Sequence, residues 1–436
     1  MSKQGEYKQT EIGKIPKEWE VLRLERIFDI RAGGDIYKLN FSKQKDERYK
    51  FPIYSNSLEN NGLYGYADTY QYQENCITVT GRGTLGHATP RFEKFSAIIR
   101  LLVLIPKSNI NIVFASEYIN ARISFRIEKT SIPQLTAPKL AKYKIPLPPL
   151  PEQKRIAEIL STVDEAIEKV DEAIAKTERL KKGLMQELLN GSLRVRELKS
   201  SRVGESKGQG VKAYRLYKPS DPETYKNTEI GRIPKEWEVV RLGDVCTQRK
   251  EIILPVGKGQ IKFIGLEHIE SGKTKVKSFF TDSGIKSSKF KFYRGDILYG
   301  KLRPYLDKAV IAEFGGICST DLIVLTSDEK KYIKELLIYV LHSDSFIRYA
   351  ISNTSGTNHP RTSWKAISNY NLVYPPLPEQ HKIAEILSTI DKRLELLRNK
   401  KERLGRVKKG LMNDLLTGSR RVKRVGESES RRVGES

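Results

Sequence analysis

The chain has 436 residues, 38% of them hydrophobic and 30% charged, with a formal net charge of +25. The length exceeds what one hydrophobic core usually supports, so we expect at least two globular domains, and the composition excludes wholesale disorder. The positive charge favours a polyanionic partner, with nucleic acid the leading class, because phosphate neutralisation releases condensed counterions; a basic protein that merely associates with ribosomes, or is simply soluble, is the alternative.

The cysteines and the N-terminus indicate the compartment. Cys76, Cys246 and Cys318 are scattered, without the CxxC spacing of zinc sites or the density of a disulfide framework. No apolar run approaches the roughly 20 residues that span a bilayer, and the start MSKQGEYKQT lacks the apolar core of a signal peptide. We therefore expect a cytoplasmic protein without a metal site.

The N-terminal segment recurs in the middle of the chain. The sequence YKQTEIGKIPKEWEVLRL from Tyr7 returns as YKNTEIGRIPKEWEVVRL from Tyr225, with three differences. A second pair follows, because PLPEQKRIAEILSTVD from Pro149 returns as PLPEQHKIAEILSTID from Pro376. Each half of the chain thus has matched ends around a middle that has diverged.

The two middles are predicted to form mixed domains of strands and helices, at 1–150 and 225–377. Four β-rich runs, each ended by glycine, proline or charge, are predicted strands: CITVTG from Cys76, AIIRLLVLIP from Ala97, GDILYGKL from Gly295 and ICSTDLIVLT from Ile317. Two further segments are predicted helices: Phe114 to Ile127 and Glu329 to Ala350.

A long helix is predicted after each PLPEQ, over 151–190 and 378–417, because proline suits the first helical turn. Each carries a narrow apolar stripe at spacings of three and four residues, which is typical of a coiled coil. The stripes comprise Ile156, Leu160, Val163, Ile167 and Val170, and Ile383, Leu387, Ile390, Leu394 and Leu397. Packing of each helix separately on its own domain is the alternative.

These elements predict an α+β fold with two globular mixed α/β domains in a pseudo-two-fold arrangement, separated by two long antiparallel coiled-coil helices. The linker at 191–224 and the basic tail at 418–436 share the pentapeptide RVGES. We expect both to be flexible spacers.

Signatures of catalysis are missing from the sequence, which has no GxxxxGK[ST] loop and no HExxH motif. Asp321, with Glu329 and Lys331, loosely imitates a metal-dependent nuclease. Residues this common produce such a spacing by chance, and Glu329 equally suits a charged helix start. We therefore expect a chain that is not an enzyme and binds no cofactor itself.

The pattern GxIPxxW, a variable region, and PPLPEQxxIAxIL opening a heptad helix is present twice. It resembles the DNA specificity subunits of type I restriction-modification systems over essentially the whole chain. The strongest stretches are Ile12 to Trp19, Ile230 to Trp237, Pro148 to Leu160 and Pro375 to Leu387.

The resemblance implies two target recognition domains that bind a bipartite, asymmetric sequence in double-stranded DNA. It also implies that the chain docks two methyltransferase (modification) subunits, and restriction subunits in the full complex. Catalysis, S-adenosylmethionine, ATP and Mg²⁺ then belong to those partners. A non-specific nucleic-acid-binding scaffold without restriction partners is the alternative, although the lack of RNA-type aromatic motifs counts against RNA as its ligand.

Candidate base contacts lie in the diverged middles, since Arg suits guanine and Gln suits adenine. Aligning the halves back from PLPEQ places TSIPQLT beside TNHPRTS, so Gln134 matches Arg361 and Thr130 matches Thr357. A proline loop with Gln in one copy and Arg in the other is what different half-sites require; ordinary loop residues are the alternative. Candidates of lower rank, at strand ends, are Arg82, Lys301, Arg303 and Tyr305.

The segments that repeat almost unchanged suit the binding of two identical partners. The candidate partner contacts are the helix starts Pro151, Glu152, Gln153, Pro378, Glu379 and Gln380. Trp19 and Trp237, at matched positions, are predicted to be buried where each domain meets the helices, with a partner-facing position as the alternative.

Overall fold

The computed structural model describes residues 7–36, 39–125, 133–197, 214–218, 224–255 and 257–422. The chain divides into two compact units: unit 1 comprises 1–172 and 398–436, and unit 2 comprises 173–397. Each unit therefore contains one of the diverged middles and a part of each long helix.

The nine helices of the described residues, α1 to α9, are Leu24–Ile27, Ile112–Arg122, Ala137–Ala141, Leu150–Leu189, Leu242–Val245, Lys334–Leu341, Asp344–Ser352, Trp364–Ile367 and Leu377–Leu415. Strands β1 to β12 are Tyr7–Thr10, Gly13–Pro16, Glu20–Arg23, Phe28–Ala32, Phe41–Ser42, Phe51–Tyr54, Leu63–Ala67, Cys76–Val79, Ala88–Arg91, Ser96–Ala97, Leu102–Pro106 and Lys144–Leu147. Strands β13 to β27 are Arg194–Glu197, Tyr214–Tyr217, Tyr225–Thr228, Gly231–Pro234, Glu238–Arg241, Cys246–Arg249, Ile252–Ile253, Lys262–Ile264, Phe280–Thr281, Lys289–Phe292, Ile297–Gly300, Ala309–Ile311, Gly316–Cys318, Leu322–Ser327 and Asn371–Tyr374.

The two diverged middles share a main sheet of the same topology. The strand order is β4-β11-β8-β9 in unit 1 and β18-β26-β23-β24 in unit 2, antiparallel throughout. A second sheet has the order β10-β6-β7-β5 in unit 1 and β19-β22-β25-β20-β21 in unit 2, and each contains one parallel pair. The middles have therefore diverged in sequence while keeping one framework.

Two of the predicted strands are each divided in two. The run from Ala97 breaks at Ile99 and Arg100, whose φ angles of 53° and 58° lie in the left-handed region, and β10 and β11 consequently join different sheets. The run from Ile317 is also divided, into β25 and β26, which join different sheets. The prediction of single strands was wrong because no glycine or proline marks the turn within either apolar run.

The predicted helices of the middles also differ from the structure. The first is α2, which ends at Arg122, and positions 126 and 127 of the predicted helix lie outside the described residues. The second is two helices, α6 and α7, because the Ser343 hydroxyl accepts a hydrogen bond from the Phe346 N–H at 3.2 Å and caps α7. A serine N-cap inside an apolar run was the signal of this break.

The long helices run antiparallel within unit 1. Lys408 of α9 lies 2.8 Å from Asp164 of α4. One heptad further along α4 and one heptad back along α9, Asp171 lies 2.7 Å from Lys401. Partners that shift in opposite directions along the chain define an antiparallel pair in constant register.

Unit 2 contains the equivalent pair, in which Lys181 of α4 lies 2.6 Å from Asp391 of α9. The predicted fold class, with two mixed α/β domains and two long antiparallel helices, is confirmed. The two-fold relation between the halves stays a prediction. None of the helices described here combines the length and the apolar character needed to cross a bilayer.

The apolar stripes are sequestered. Six of the ten predicted residues are buried and four are half-buried; the buried ones are Ile156, Leu160, Val170, Ile383, Leu387 and Leu394, and the half-buried ones are Val163, Ile167, Ile390 and Leu397. The first turns of α4 join the core of unit 1 around Trp19, and those of α9 join the core of unit 2 around Trp237. Both tryptophans are 0% exposed, which confirms their predicted burial.

Candidate nucleic-acid interface

Three segments of unit 2 meet beside the end of β23, and we call them the unit 2 site. Residues 301–303 follow β23, residues 319–321 precede β26, and residues 360–362 precede α8. Three backbone hydrogen bonds join the segments: Lys301 N–H to Asp321 O at 3.0 Å, Thr362 N–H to Lys301 O at 3.0 Å, and Arg303 N–H to Pro360 O at 2.7 Å. The sequence candidates Lys301, Arg303 and Arg361 are thus brought together.

Arg361 lies on a loop closed by two backbone hydrogen bonds with Ser355, both of 2.9 Å. Its Nε donates to Asp321 Oδ1 at 3.1 Å, and 44% of its side chain is exposed. Among the described residues, neither of its two terminal nitrogens has a partner. A guanidinium held at one edge and free at the other can donate to O6 and N7 of guanine.

The other candidates of unit 2 surround Arg361. Arg303 has φ 53° and ψ 67°, a left-handed conformation that costs a non-glycine residue about 1–2 kcal/mol. Within the described part of the chain, its Nε is buried without a hydrogen-bond partner, as is the hydroxyl of Thr362. Tyr305 is 53% exposed, and Thr357 is exposed in the loop closed by Ser355. Strain and unpaired buried donors are typical of functional sites.

Unit 1 has the same arrangement beside the end of β8, and we call it the unit 1 site. Residues 81–82 follow the strand, residues 98–100 precede β11, and residues 133–135 precede α3. The Leu135 N–H donates to Gly81 O at 3.0 Å, as the Thr362 N–H does to Lys301 O. Gln134 and Arg361 are therefore at equivalent positions, as the sequence alignment predicted.

The close approach of segments in the unit 1 site requires glycine at position 81. A Cβ there would lie 2.9 Å from Leu135 O and 3.1 Å from Arg100 O. Asn56 links two of the segments, since its Oδ1 accepts from the Gly81 N–H at 2.7 Å and its Nδ2 donates to Ile99 O at 2.7 Å. Sequence reasoning missed Asn56 and Arg100, because only the packing of distant segments brings them to the site.

The remaining candidates of unit 1 are placed less completely. Gln134 and Arg82 are half-buried, and the Nε of Arg82 has no partner within the described residues. Thr130 lies outside the described residues. Base contact by any of these residues stays a prediction.

Glu152, at the start of α4, has partners inside unit 1. This carboxylate is 8% exposed and accepts a hydrogen bond from the Trp19 indole N–H at 3.0 Å. Arg421, just after α9, donates to both of its oxygens, at 2.7 and 2.9 Å. Glu152 therefore ties the N-terminal repeat and the end of α9 together inside unit 1, and its contact with a partner subunit stays a prediction.

Glu379 does the same in unit 2. Its carboxylate accepts from the Trp237 indole N–H at 2.9 Å and from Arg194 at 2.7 and 2.9 Å. Burial lowers the pKa of Arg194, but the hydrogen bonds that Arg194 donates to Glu379 and Glu236 outweigh it, so the pKa is raised overall. The partner contact at Glu379 stays a prediction.

The glutamines that follow are also used internally. Gln153 is 1% exposed; its Nε2 donates to Pro148 O at 2.8 Å, and its Oε1 accepts from the Asn111 N–H at 2.9 Å. Gln380 is 0% exposed and makes the matching bonds to Pro375 O and from the Ile333 N–H. Both side chains fasten a helix start to the rest of its unit, and a partner contact by either residue stays a prediction.

Of the predicted partner contacts, Pro151 and Pro378 are exposed. Partner binding by these two residues stays a prediction. The loosely nuclease-like set does not assemble, because Asp321 and Glu329 lie beyond opposite ends of the six-residue strand β26. Asp321 instead pairs with Arg361, and Glu329 pairs with Lys334 at 3.1 Å.

Comparison with known proteins identifies the family. The sequence model of the type I restriction modification DNA specificity domain matches the chain twice, over 16–177 and 234–406. The chain is 25% identical over 389 residues to the specificity subunit of the type I restriction enzyme EcoDI of Escherichia coli, covering 85% of this chain and 81% of that subunit. It is 26% identical over 450 residues to the putative type I restriction enzyme MjaX specificity subunit of Methanocaldococcus jannaschii, covering 97% and 98%.

The fold is similar to that of a solved structure of the same kind. The crystal structure of the S subunit of a type I restriction-modification system from M. genitalium superposes with a TM-score of 0.59 at 15% identity, covering 91% of this chain and 96% of that chain. At this identity the likeness shows the fold alone. The two family matches together include both sites and the starts of both long helices. The chain therefore belongs to the family of type I restriction-modification DNA specificity subunits.

Proposed function

We propose that this chain selects the DNA sequence for a type I restriction-modification complex, with each unit reading one short half of a split, asymmetric site. The observation that carries the proposal is one backbone framework with two sets of side chains. Gln134 stands in the unit 1 site where Arg361 stands in the unit 2 site. Because Gln suits adenine and Arg suits guanine, the two sites are suited to different base sequences.

The charge of the chain supports DNA as the ligand. A formal net charge of +25 favours a polyanion, and the phosphates supply affinity that carries no sequence information. Base contacts then supply the specificity. We expect binding to weaken steeply with salt, and discrimination between sequences to depend on the two sites.

The repeated segments support docking of two identical partners, which we propose are methyltransferase subunits, joined by restriction subunits in the full complex. Pro151 and Pro378, exposed at equivalent positions, are among the candidate contacts at the helix starts. In this proposal the chain is not an enzyme. The partners hold S-adenosylmethionine, ATP and Mg²⁺ and perform methylation and cleavage, in the cytoplasm where the DNA is.

The test is methylation mapping in cells that express the chain with the modification subunits of its system. The wild-type chain is compared with a double variant, Gln134→Arg with Arg361→Gln, which exchanges the equivalent residues. We expect a split, asymmetric methylated sequence in the first case and a changed base preference in both halves in the second.

A split sequence that is unchanged by the exchange would remove Gln134 and Arg361 from the readout while leaving the function in place. Methylation by an active partner without any sequence requirement from this chain would contradict the proposed function and favour a non-specific scaffold.

A further inference from the structure

Arg100 is presented at the unit 1 site by a strained backbone. Ile99 and Arg100 have φ angles of 53° and 58°, and for the β-branched Ile99 this is a genuine outlier. The backbone is held there by the Ile99 N–H to Gly34 O at 2.9 Å, the Arg100 N–H to Gly33 O at 3.3 Å, and Asn56 Nδ2 to Ile99 O at 2.7 Å. Both side chains are exposed, so burial of these side chains does not explain the strain.

Arg100 and Asp321 are equivalent residues of the two sites. In unit 1, β8 leads into the site and pairs with β11, with Leu102 opposite Val79. In unit 2, β23 leads into the site and pairs with β26, with Ile323 opposite Tyr299. Arg100 lies two residues before Leu102, and Asp321 lies two residues before Ile323. One position therefore carries a cation in unit 1 and an acid in unit 2.

The side chain at this position is matched to its neighbour in the proline loop. In unit 2, Asp321 accepts from the Nε of Arg361 at 3.1 Å and fixes the direction of the guanidinium. In unit 1 the loop carries the neutral Gln134, and no carboxylate described in the structure pairs with Arg100. At this pair of positions, the proline loop supplies a guanidinium in unit 2 and the turn before β11 supplies one in unit 1.

We propose that Arg100 is a base-contacting residue of unit 1, and that Asp321 is a positioning residue that orients Arg361 in unit 2. The inference rests on the proposed function and deepens it. A guanidinium recognises guanine by donating to O6 and N7. The unit 1 half-site would then combine a guanine for Arg100 with an adenine for Gln134, whereas the unit 2 half-site would contain a guanine for Arg361.

The test is methylation mapping with the full chain and its modification subunits, comparing wild type, Arg100→Gly, Arg100→Lys and Arg26→Ala. Glycine adopts the left-handed conformation without strain, so Arg100→Gly is expected to melt no lower than wild type. We expect Arg100→Gly and Arg100→Lys to lose about ten- to one-hundred-fold discrimination at one base pair of one half-site, because neither keeps the planar fork. Arg26 is an exposed arginine of the same unit, and its removal controls for net charge.

Asp321→Asn tests the second part, because it keeps the size of the side chain and removes its charge. We expect relaxed discrimination at one base pair of the other half-site, with unchanged melting temperature. A merely structural role would lower stability without changing a single position of the motif.

An unchanged motif in Arg100→Gly overturns the base contact. The base contact is also overturned if Arg100→Gly weakens methylation equally at all sequences and Arg100→Lys restores it, since that result identifies a phosphate contact. An unchanged motif in Asp321→Asn overturns the positioning role. The proposed function itself fails only if the wild-type chain directs no split motif, so the two kinds of failure can be told apart.

Discussion

Replacement of Glu152 by alanine is expected to destabilise unit 1 strongly, because this carboxylate joins three of its parts. It accepts from Trp19 at 3.0 Å and from Arg421 at 2.7 and 2.9 Å. Trp19 is 0% exposed, so the indole N–H loses its acceptor where water does not reach, at a cost of about 1–3 kcal/mol. The Arg421 side chain is 35% exposed and can be rehydrated, so its loss adds about 1 kcal/mol or less.

Two further variants separate these contributions. Glu152→Gln keeps an acceptor for Trp19 and removes the charge, so we expect a loss of only about 1 kcal/mol. Arg421→Ala keeps the indole bond and is expected to cost about 1 kcal/mol. The double variant of Glu152→Ala with Arg421→Ala should cost less than the sum, since the two side chains share one interaction.

The free energy of unfolding is measured by urea titration of the full chain, followed by tryptophan fluorescence. We expect Glu152→Ala to lose about 1–4 kcal/mol in total. A loss of about 0.5 kcal/mol or less, the range of an ordinary surface substitution, would show that Glu152 does not hold the parts of unit 1 together. Glu379→Ala is the matched variant in unit 2 and is expected to behave alike.

Three further predictions concern packing, pH and thiol reactivity. At Gly418, with φ +67°, a Cβ would lie 2.5 Å from a proline ring, so Gly418→Ala should lower stability by more than about 1 kcal/mol. Gly183 lies inside α4 with open space at the position of a Cβ, so Gly183→Ala should raise stability by about 1 kcal/mol. Thermal melting of the two variants checks the opposite signs. Burial raises the pKa of Glu117 while Lys408, 3.4 Å away, lowers it. Lys408→Ala should raise the pKa of Glu117 further. Because the folded state then binds the proton more tightly, the loss of stability caused by this substitution should grow as pH rises above the ordinary glutamate pKa. Equal losses of stability at pH 5 and pH 8 would contradict this. Burial raises the pKa of Cys246 to about 12, so a thiol reagent at pH 8 should react with it only on unfolding, and fast labelling of the native chain would count against the structure.

The repeated parts of the fold were predictable from sequence because their signals are local. Proline at the helix start, the apolar stripe and matched tryptophans each follow from spacing and propensity. The same repetition does not show what Glu152 and Gln153 do, because identity between the two copies fits an internal hydrogen-bonding role as well as a partner contact. Glu152 is 8% exposed and Gln153 is 1% exposed, and both side chains have partners within unit 1.

The sites were only partly predictable. Alignment found the equivalence of Gln134 and Arg361, since the proline loop keeps its distance from PLPEQ in both copies. Arg100 and Asp321 were not recognised as partners of that loop, because they sit inside apolar runs that propensity assigns to single strands. Only the paired strands and the left-handed turn bring them to the site.

In the proposed function, each unit reads its own half of one split DNA sequence. The most direct measurement is the methylated motif directed by two single variants, Gln134→Ala and Arg361→Ala, in cells with the modification subunits. We expect a split motif in which Gln134→Ala relaxes one half only and Arg361→Ala relaxes the other half only. A motif in which both variants alter the same half, or one without two separate halves, would contradict it.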